Sequence, residues 1–482
     1  MCSRECKENI MNETLSFSAS GTVSAASVSP SGELEVAAIL PRQPRTVSDT
    51  GLDPRLVSAL VLKTLHATGR APLPLLSGKL RLSVSVLREV LTALATEQQV
   101  EVAWSGDSDI DVQYQLTVVG ERAALARLAE CSYIGPAPVT LDAYRTMVDR
   151  QSLRPPMLPP SGTHGALSSP VRHLTPAALA AMLADDGFDP AVRGLLGAAL
   201  HAQRPLLLHG PTGSGKTTLA RKLARLLPGV VAVPYAIVVG GHIVPFHDPV
   251  RHPAPLPLGR QPEERRSCDA RWAICQRPLV HVGAELDAAM LTLHRDPDSG
   301  IRQAPLQLQA NNGVLVLDDL GRGRMPVAEL LAGWLGPLDG APARLMTGGQ
   351  SETMPFDAML VFVTNLAPAS VFDAAFLRRI AYRIGLGPLA EPAYRALLRR
   401  AGRLHGIDCD EAVIDHLVTR LHRASGTPLL ACYPHELLGR VRDFAGFAGT
   451  EPRLTIAALE QAWNSMSSGS APASCHVAGI EP

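Results

Sequence analysis

Lysine is scarce in this chain: of 45 basic residues only Lys7, Lys63, Lys79, Lys216 and Lys222 are lysine. Net charge is absent too, because 45 acidic residues balance the basic ones. That balance excludes a generally basic nucleic-acid coat and a strongly acidic solvating protein. No apolar run approaches the ~18 residues that a membrane-spanning helix requires, so none is expected. Residues 1–20 mix Arg4, Glu5, Lys7, Glu8 and Glu13 with polar groups and lack the apolar stretch of a secretory signal. Eight cysteines are scattered without a Cys-x-x-Cys pair. Reduced thiols are therefore expected rather than a disulfide or zinc framework, and the expected compartment is the cytoplasm.

What remains is an ordinary globular composition, 46% hydrophobic and 19% charged over 482 residues. This length corresponds to two to four domains. Residues 1–50 hold nine serines and few large apolar groups, and a segment of that kind is expected to be disordered. Residues 51–135 read as a helix-helix-helix-wing module. Leu56, Leu60, Val61 and Leu65 share one helical face, as do Val86, Val90, Leu91 and Leu94. A strand over 100–104 is followed by strict alternation of Val112, Tyr114, Leu116 and Val118. The pattern resembles a winged helix. Its charge argues against DNA as the ligand: eight basic residues face nine acidic ones, and Asp107, Asp109 and Asp111 crowd the wing tip. A phosphate-binding module needs a basic face, so protein docking is expected there, with nucleic acid as the alternative.

Residues 136–173 are rich in Pro, Gly and Ser and read as a linker. Residues 174–387 alternate apolar runs with helical stretches, the pattern of an α/β fold with a parallel sheet flanked by helices. Residues 388–466 carry amphipathic helical segments and read as a helical lid, and 467–482 form a tail.

Chemistry concentrates in 174–387. Gly210, Pro211, Thr212, Gly213, Ser214, Gly215, Lys216, Thr217 and Thr218 follow an apolar run and precede a helix-forming one. This is the strand–loop–helix setting of a phosphate-binding loop, or Walker A motif. Its glycines let backbone N–H groups converge on phosphate oxygens at a helix N-terminus. Lys216 is placed to reach the β and γ phosphates of ATP, and the Thr217 hydroxyl to ligate Mg²⁺. About a hundred residues on, Val314-Leu-Val-Leu317 ends in Asp318 and Asp319. Acids at the C-terminal tip of a buried strand sit where open α/β sheets place ligands. Asp318 suits the Mg²⁺-holding acid and Asp319 the group that polarises attacking water. A third apolar run, 359–364, ends in Asn365, and Phe372-Asp-Ala-Ala-Phe-Leu-Arg-Arg379 follows.

Walker A, Walker B, Asn365 and the Phe-Leu-Arg-Arg379 stretch, followed by a helical lid, resemble the AAA+ ATPase superfamily over roughly 174–466. Arg344-Leu-Met-Thr-Gly348-Gly349-Gln-Ser-Glu-Thr-Met354 looks like a hairpin with a Gly-Gly turn, where MoxR-like and Clp-type relatives carry the pre-sensor hairpin. The stretches 305–308 and 313–322 look like a bacterial group of AAA+ ATPases with an N-terminal winged-helix-like region. The resemblance implies ATP hydrolysis with Mg²⁺ in a homo-oligomeric ring. Asn365 is then sensor 1 and Arg379 the arginine finger. Residues 51–135 would recruit a protein client or adaptor. A chaperone-like remodeller is the expected function; a DNA-linked ATPase and a slow nucleotide-dependent switch are the alternatives. Two departures stand out. The second Walker B acid is Asp319 rather than Glu, and the expected sensor 2 position carries His435, with Arg440 or Arg442 as substitutes.

Other clusters carry less. His242, His247 and His252 recur every five residues, but Val238-Val-Gly-Gly-His-Ile-Val244 reads as a hairpin that scatters them. Cys268 and Cys275 have no matching second pair, and no Gly-x-Ser-x-Gly elbow supports a hydrolase triad.

Overall fold

The structure, a computed structural model, describes residues 40–104, 112–154, 175–255, 267–323, 326–347 and 350–467. Short, largely apolar runs, too brief for helices, become four central strands, β1 (Leu206–His209), β2 (Leu279–Val282), β3 (Val314–Leu317) and β4 (Met359–Thr364), and the half-exposed run Tyr-Arg-Ile-Gly becomes the edge strand β5 (Tyr382–Gly385). They form one sheet in the order β2-β3-β4-β1-β5, with every pair parallel. Every residue of β3 and β4 is buried, as strands covered on both faces require. One face packs on Leu219, Ala220 and Leu223 of the helix Lys216–Arg225 and on helices Pro176–Leu183 and Pro190–Ala202. The other carries a larger cluster that includes Trp334, Phe356, Phe362, Phe372 and Phe376. The expected α/β core is therefore present.

The lid is helical, with its own core around Tyr394, Leu398, Leu437 and Trp463. The Tyr394 hydroxyl lies 2.7 Å from His422 Nε2, which satisfies both polar groups inside that core. Among the described residues no helix is long and apolar enough to cross a membrane.

Residues 54–96 form three helices, Pro54–Thr68, Leu73–Leu80 and Val84–Thr96. Strands Ala71–Pro72, Gln113–Leu116 and Val100–Trp104 make a three-stranded sheet in that spatial order. The acidic residues expected at a wing tip, 107, 109 and 111, lie outside the described residues. The expected alternation stops earlier than Val118, which opens the helix Val118–Glu130. Thr117 ends the strand by capping that helix, its hydroxyl accepting from Gly120 N at 3.1 Å. Only glycine fits at 120, because a Cβ there would meet Gln99 O at 1.8 Å.

Two boundaries differ from expectation. Residues 1–39 lie outside the described residues, but 40–50 are packed. Asp269 N donates to Pro41 O (2.9 Å), Gln43 N to Ser267 O (3.0 Å) and Ser83 Oγ to Pro44 O (2.7 Å), and Val47 is buried. Composition averaged over fifty residues hides these eleven. The linker expected over 136–173 likewise begins as structure. Val139–Thr140 pairs in parallel with Ile237 and Val238, and the helix Leu141–Gln151 buries Tyr144, Met147 and Val148. Residues 155–174 lie outside the described residues.

The hairpin Ala236–Val239/His242–Pro245 forms as expected, with both turn glycines at positive φ, Gly240 at 55° and Gly241 at 76°. It does not keep the histidines apart, because a turn over 248–252 stacks the His247 and His252 rings 5.7 Å from one another. His252 is buried, with Nδ1 accepting from Asp248 N and Nε2 meeting Gln309 O, and burial pushes its pKa down to about 4. No group of three metal-ligating side chains occurs among the described residues.

The N-terminal module shares a core with the α/β body: Ala236, Val238, Ile243 and Ile301 pack into its apolar cluster. Buried Arg271 completes the joint. Its guanidinium pairs with buried Asp269 (2.8 Å) and donates to Thr50 O (3.3 Å) and Pro138 O (2.9 Å). Truncating Arg271 leaves a buried carboxylate without its partner, a loss of about 3–5 kcal/mol. Arg271→Ala is expected to lower the calorimetric melting midpoint by roughly 3–5 °C, at ~1 °C per kcal/mol for a chain of 482 residues; an unmoved midpoint contradicts this.

Candidate nucleotide site

Register builds the site. Leu317 pairs with Phe362 and Thr364 with His209, so the C-terminal tips of β3, β4 and β1 lie side by side. The residues that follow each tip are Asp318 and Asp319, Asn365, and the loop 210–215.

The loop turns sharply after β1. Gly210 has φ 141°, and a Cβ there would lie 2.0 Å from Leu386 O. Gly213 has φ 84°, and its Cβ would lie 2.5 Å from Cys432 Sγ. Both positions demand glycine. The helix then starts at Lys216, which is 4% exposed. Its Nζ donates to Pro211 O (2.7 Å) and Gly210 O (3.0 Å) and lies 3.3 Å from Ser214 Oγ. Burial lowers the lysine pKa, with Asp318 and Asp319 acting in opposition and Arg322 adding to the effect. His209, the last residue of β1, is lowered by burial and by Lys216.

Asp318 is buried with both carboxylate oxygens engaged: Oδ2 lies 3.1 Å from His281 Nε2, and Oδ1 accepts from Asp319 N at 2.8 Å. Burial works against its charge, but hydrogen bonds from His281, the Thr217 hydroxyl and Asp319 N–H prevail and hold its pKa below the ordinary value. Thr217 and Asp318 thus bring two oxygen groups of the type a hard divalent cation takes, and they fit Mg²⁺. Asp319 adopts φ 51° and accepts from Asn365 Nδ2 at 2.9 Å. Thr364 Oγ1 donates to Leu320 O (2.8 Å), pinning the two strand tips together.

The lid reaches this loop through its own turn. Cys432 N donates to Gly213 O at 3.0 Å, and Ala431 faces Gly215. Of the residues expected at sensor 2, the His435 ring lies 5.8 Å from that of His405, and Arg440 Nη1 donates to Ser465 Oγ (3.2 Å).

Arg379 is not brought into the cluster. It ends the helix Ala374–Arg379, which Asp373 caps by accepting from Phe376 N at 2.6 Å. Its Nε donates to Asp339 (2.8 and 2.9 Å) and its Nη1 to Ala375 O (3.1 Å). Sequence reasoning missed His281 and Asp339. His281 had a weak signal, a polar third residue in the short apolar run 279–282; Asp339 had none. The strands of the expected hairpin pair from Ala343–Met354 to Thr347–Gln350, and its turn, 348–349, lies outside the described residues.

A protein-family model described as "Domain of unknown function (DUF8689)" matches residues 390–465, the lid. No curated protein matches. Among solved structures, Thermotoga maritima RuvB, described as a Holliday junction branch migration motor, is similar at 18% identity. Its TM-score is 0.34, covering 58% of this chain and 70% of that one. NtrX from Brucella abortus in complex with ATP is similar at 12% identity and a TM-score of 0.36, over 73% and 64% of the two chains.

Lys216 provides the one cationic side chain within the loop motif. A hydrogen bond to a charged group contributes ~1.5–3 kcal/mol, so Lys216→Ala is expected to weaken ATP binding roughly 10–100-fold. A titration with fluorescent ATP that shows unchanged affinity contradicts the phosphate-loop assignment.

Proposed function

We propose that this chain is an AAA+ protein that binds and hydrolyses ATP with Mg²⁺, works as a homo-oligomeric ring, and remodels a protein partner. One observation carries the reading: three adjacent parallel strand tips present Lys216, Thr217, Asp318, Asp319 and Asn365 in one connected set. Backbone N–H groups of 212–218 bind the phosphates, and Lys216 neutralises their charge. Thr217 and Asp318 would hold Mg²⁺, which when bound neutralises charge on the β- and γ-phosphate oxygens. Asp319 accepts a proton from the attacking water, and Asn365 fixes the carboxylate that does so. Arg379 serves a neighbouring subunit as its arginine finger, which fits its position outside the cluster of its own chain.

A protein partner is favoured over DNA by the packing of the N-terminal module. The chain's own segment 44–47 lies against the start of helix Val84–Thr96, with Val47 N donating to Glu89 at 2.8 Å and Ser83 Oγ to Pro44 O. That helix is where a winged module would meet a groove. Double-stranded DNA is therefore expected to leave the ATPase rate unchanged, and a several-fold stimulation would promote the nucleic-acid alternative.

The finger assignment gives the sharper test. Arginine fingers contribute ~10³–10⁵ in rate in well-studied phosphoryl-transfer systems. Arg379→Ala is expected to lower turnover at least ~100-fold, a conservative share of that range, with ATP affinity unchanged. Mixing Arg379→Ala with Lys216→Ala subunits should restore activity, because some interfaces then pair an intact loop with an intact finger. Full turnover in Arg379→Ala, or in a strictly monomeric preparation, contradicts the oligomeric reading.

A further inference from the structure

We infer that Asp339 is a positioning residue for the finger: its carboxylate orients the Arg379 guanidinium toward the neighbouring subunit's nucleotide. The inference rests on the proposed function above and extends it to a residue that no motif marks.

The geometry is that of a clamp. A guanidinium is a planar fork of five N–H donors. Nε–H of Arg379 is shared between Asp339 Oδ2 (2.8 Å) and Oδ1 (2.9 Å), and Nη1 donates to Ala375 O (3.1 Å). These bonds fix the plane of the fork and its rotation about the side-chain axis. They leave one Nη1–H and both Nη2–H groups without a partner among the described residues, on a side chain 31% exposed. Such a fork suits the oxygens of a phosphate.

Both ends of the clamp are anchored. The arginine helix is held by Phe376, which is buried, stacks on Phe372 (5.2 Å) and meets Phe362 of β4 edge-on (5.6 Å). Asp339 closes the short helix Leu335–Leu338, its N–H donating to Leu335 O and Gly336 O. Trp334, just before that helix, is buried against Phe356. The two anchors belong to one apolar cluster.

Stability does not account for the pair. Asp339 is 53% exposed, and ion pairs so open to water add little to folding. Orientation is another matter, since small misplacements of a reacting group cost about 100-fold in rate.

The test uses the full chain and compares Asp339→Ala, Asp339→Asn, Arg379→Ala and the double variant Asp339→Ala/Arg379→Ala. Asp339→Ala is expected to lower kcat roughly 10–100-fold, with KM for ATP and the melting midpoint unmoved. Asp339→Asn keeps an oxygen acceptor for Nε–H and should recover most of that loss. The double variant should be no slower than Arg379→Ala, because Asp339 acts through the arginine. Mixing Asp339→Ala with Lys216→Ala subunits should restore activity, which a merely structural residue serving its own loop would not permit. Wild-type kcat in Asp339→Ala beside a slow Arg379→Ala overturns this inference and leaves the proposed function standing. So does a double variant whose losses multiply. Full activity in Arg379→Ala overturns the finger assignment, and this inference falls with it.

Discussion

The in-register parallel pairing of β3, β4 and β1 is the constraint on which the site depends. Side-by-side tips leave Asp318, Asn365 and the phosphate loop no room to diverge, and short bonds lock them: Thr364 Oγ1 to Leu320 O and Asn365 Nδ2 to Asp319. The lock holds Asp319 at φ 51°, a left-handed conformation that costs a non-glycine residue of order 1–3 kcal/mol. Packing on both sheet faces covers that cost, since β3 and β4 are buried throughout. Strain retained between two strand tips turns the Asp319 carboxylate toward Asn365 instead of letting it follow Asp318.

A second constraint ties the N-terminal module to the same sheet. The module's apolar cluster takes in residues from the hairpin 236–245 and Ile301 from the segment that follows β2. Ser132 N donates to Ser299 O at 2.9 Å, and Arg295 reaches Glu130 O. β2 itself contributes His281 to the Asp318 carboxylate. One short strand thus leads from the Asp318 cluster into the segment on which the module rests. Replacement of a buried pair such as Arg271–Asp269 by apolar residues is often neutral for stability. What this pair supplies is register, because the same guanidinium reaches carbonyls of two otherwise separate segments, at Thr50 and Pro138.

Legibility followed the range of the interactions. That the loop 210–215, Asp318, Asp319 and Asn365 lie together could be read because each follows a local apolar run that becomes a neighbouring parallel strand. The Gly240-Gly241 hairpin could be read for the same reason, since its turn chemistry is local. Residues 40–50 and 136–154 could not, because their order comes from distant partners: Ser267 and Asp269 for the first, Ile237, Val238 and the β4 side of the core for the second. Window averages of Pro and Ser content hide a single Val47 or a Tyr144-Met147-Val148 stripe. His281 and Asp339 acquire their significance only from a partner 37 or 40 residues away, which no spacing rule reveals.

The lid completes the dependence on the loop. It is fastened at two points, one on the loop 210–215 and one on the helix that follows it. At the first, Cys432 N bonds Gly213 O, and the lack of a side chain on Gly213 is what lets Cys432 approach. At the second, the Asp186 carboxylate lies 2.6 Å from Lys222 on the loop's helix and 3.6 Å from Arg400 on the lid helix Glu391–His405. Close by, Gly187 rests on Ala393 of that lid helix, where a Cβ would come within 2.9 Å. A charge held by two cations from different subdomains has two separable bonds, whereas the glycine contact is steric and has no adjustable partner. The body therefore meets the helical subdomain 391–467 through one backbone bond, one shared carboxylate and one close-packed glycine, all within reach of the loop 210–215 and the helix that follows it.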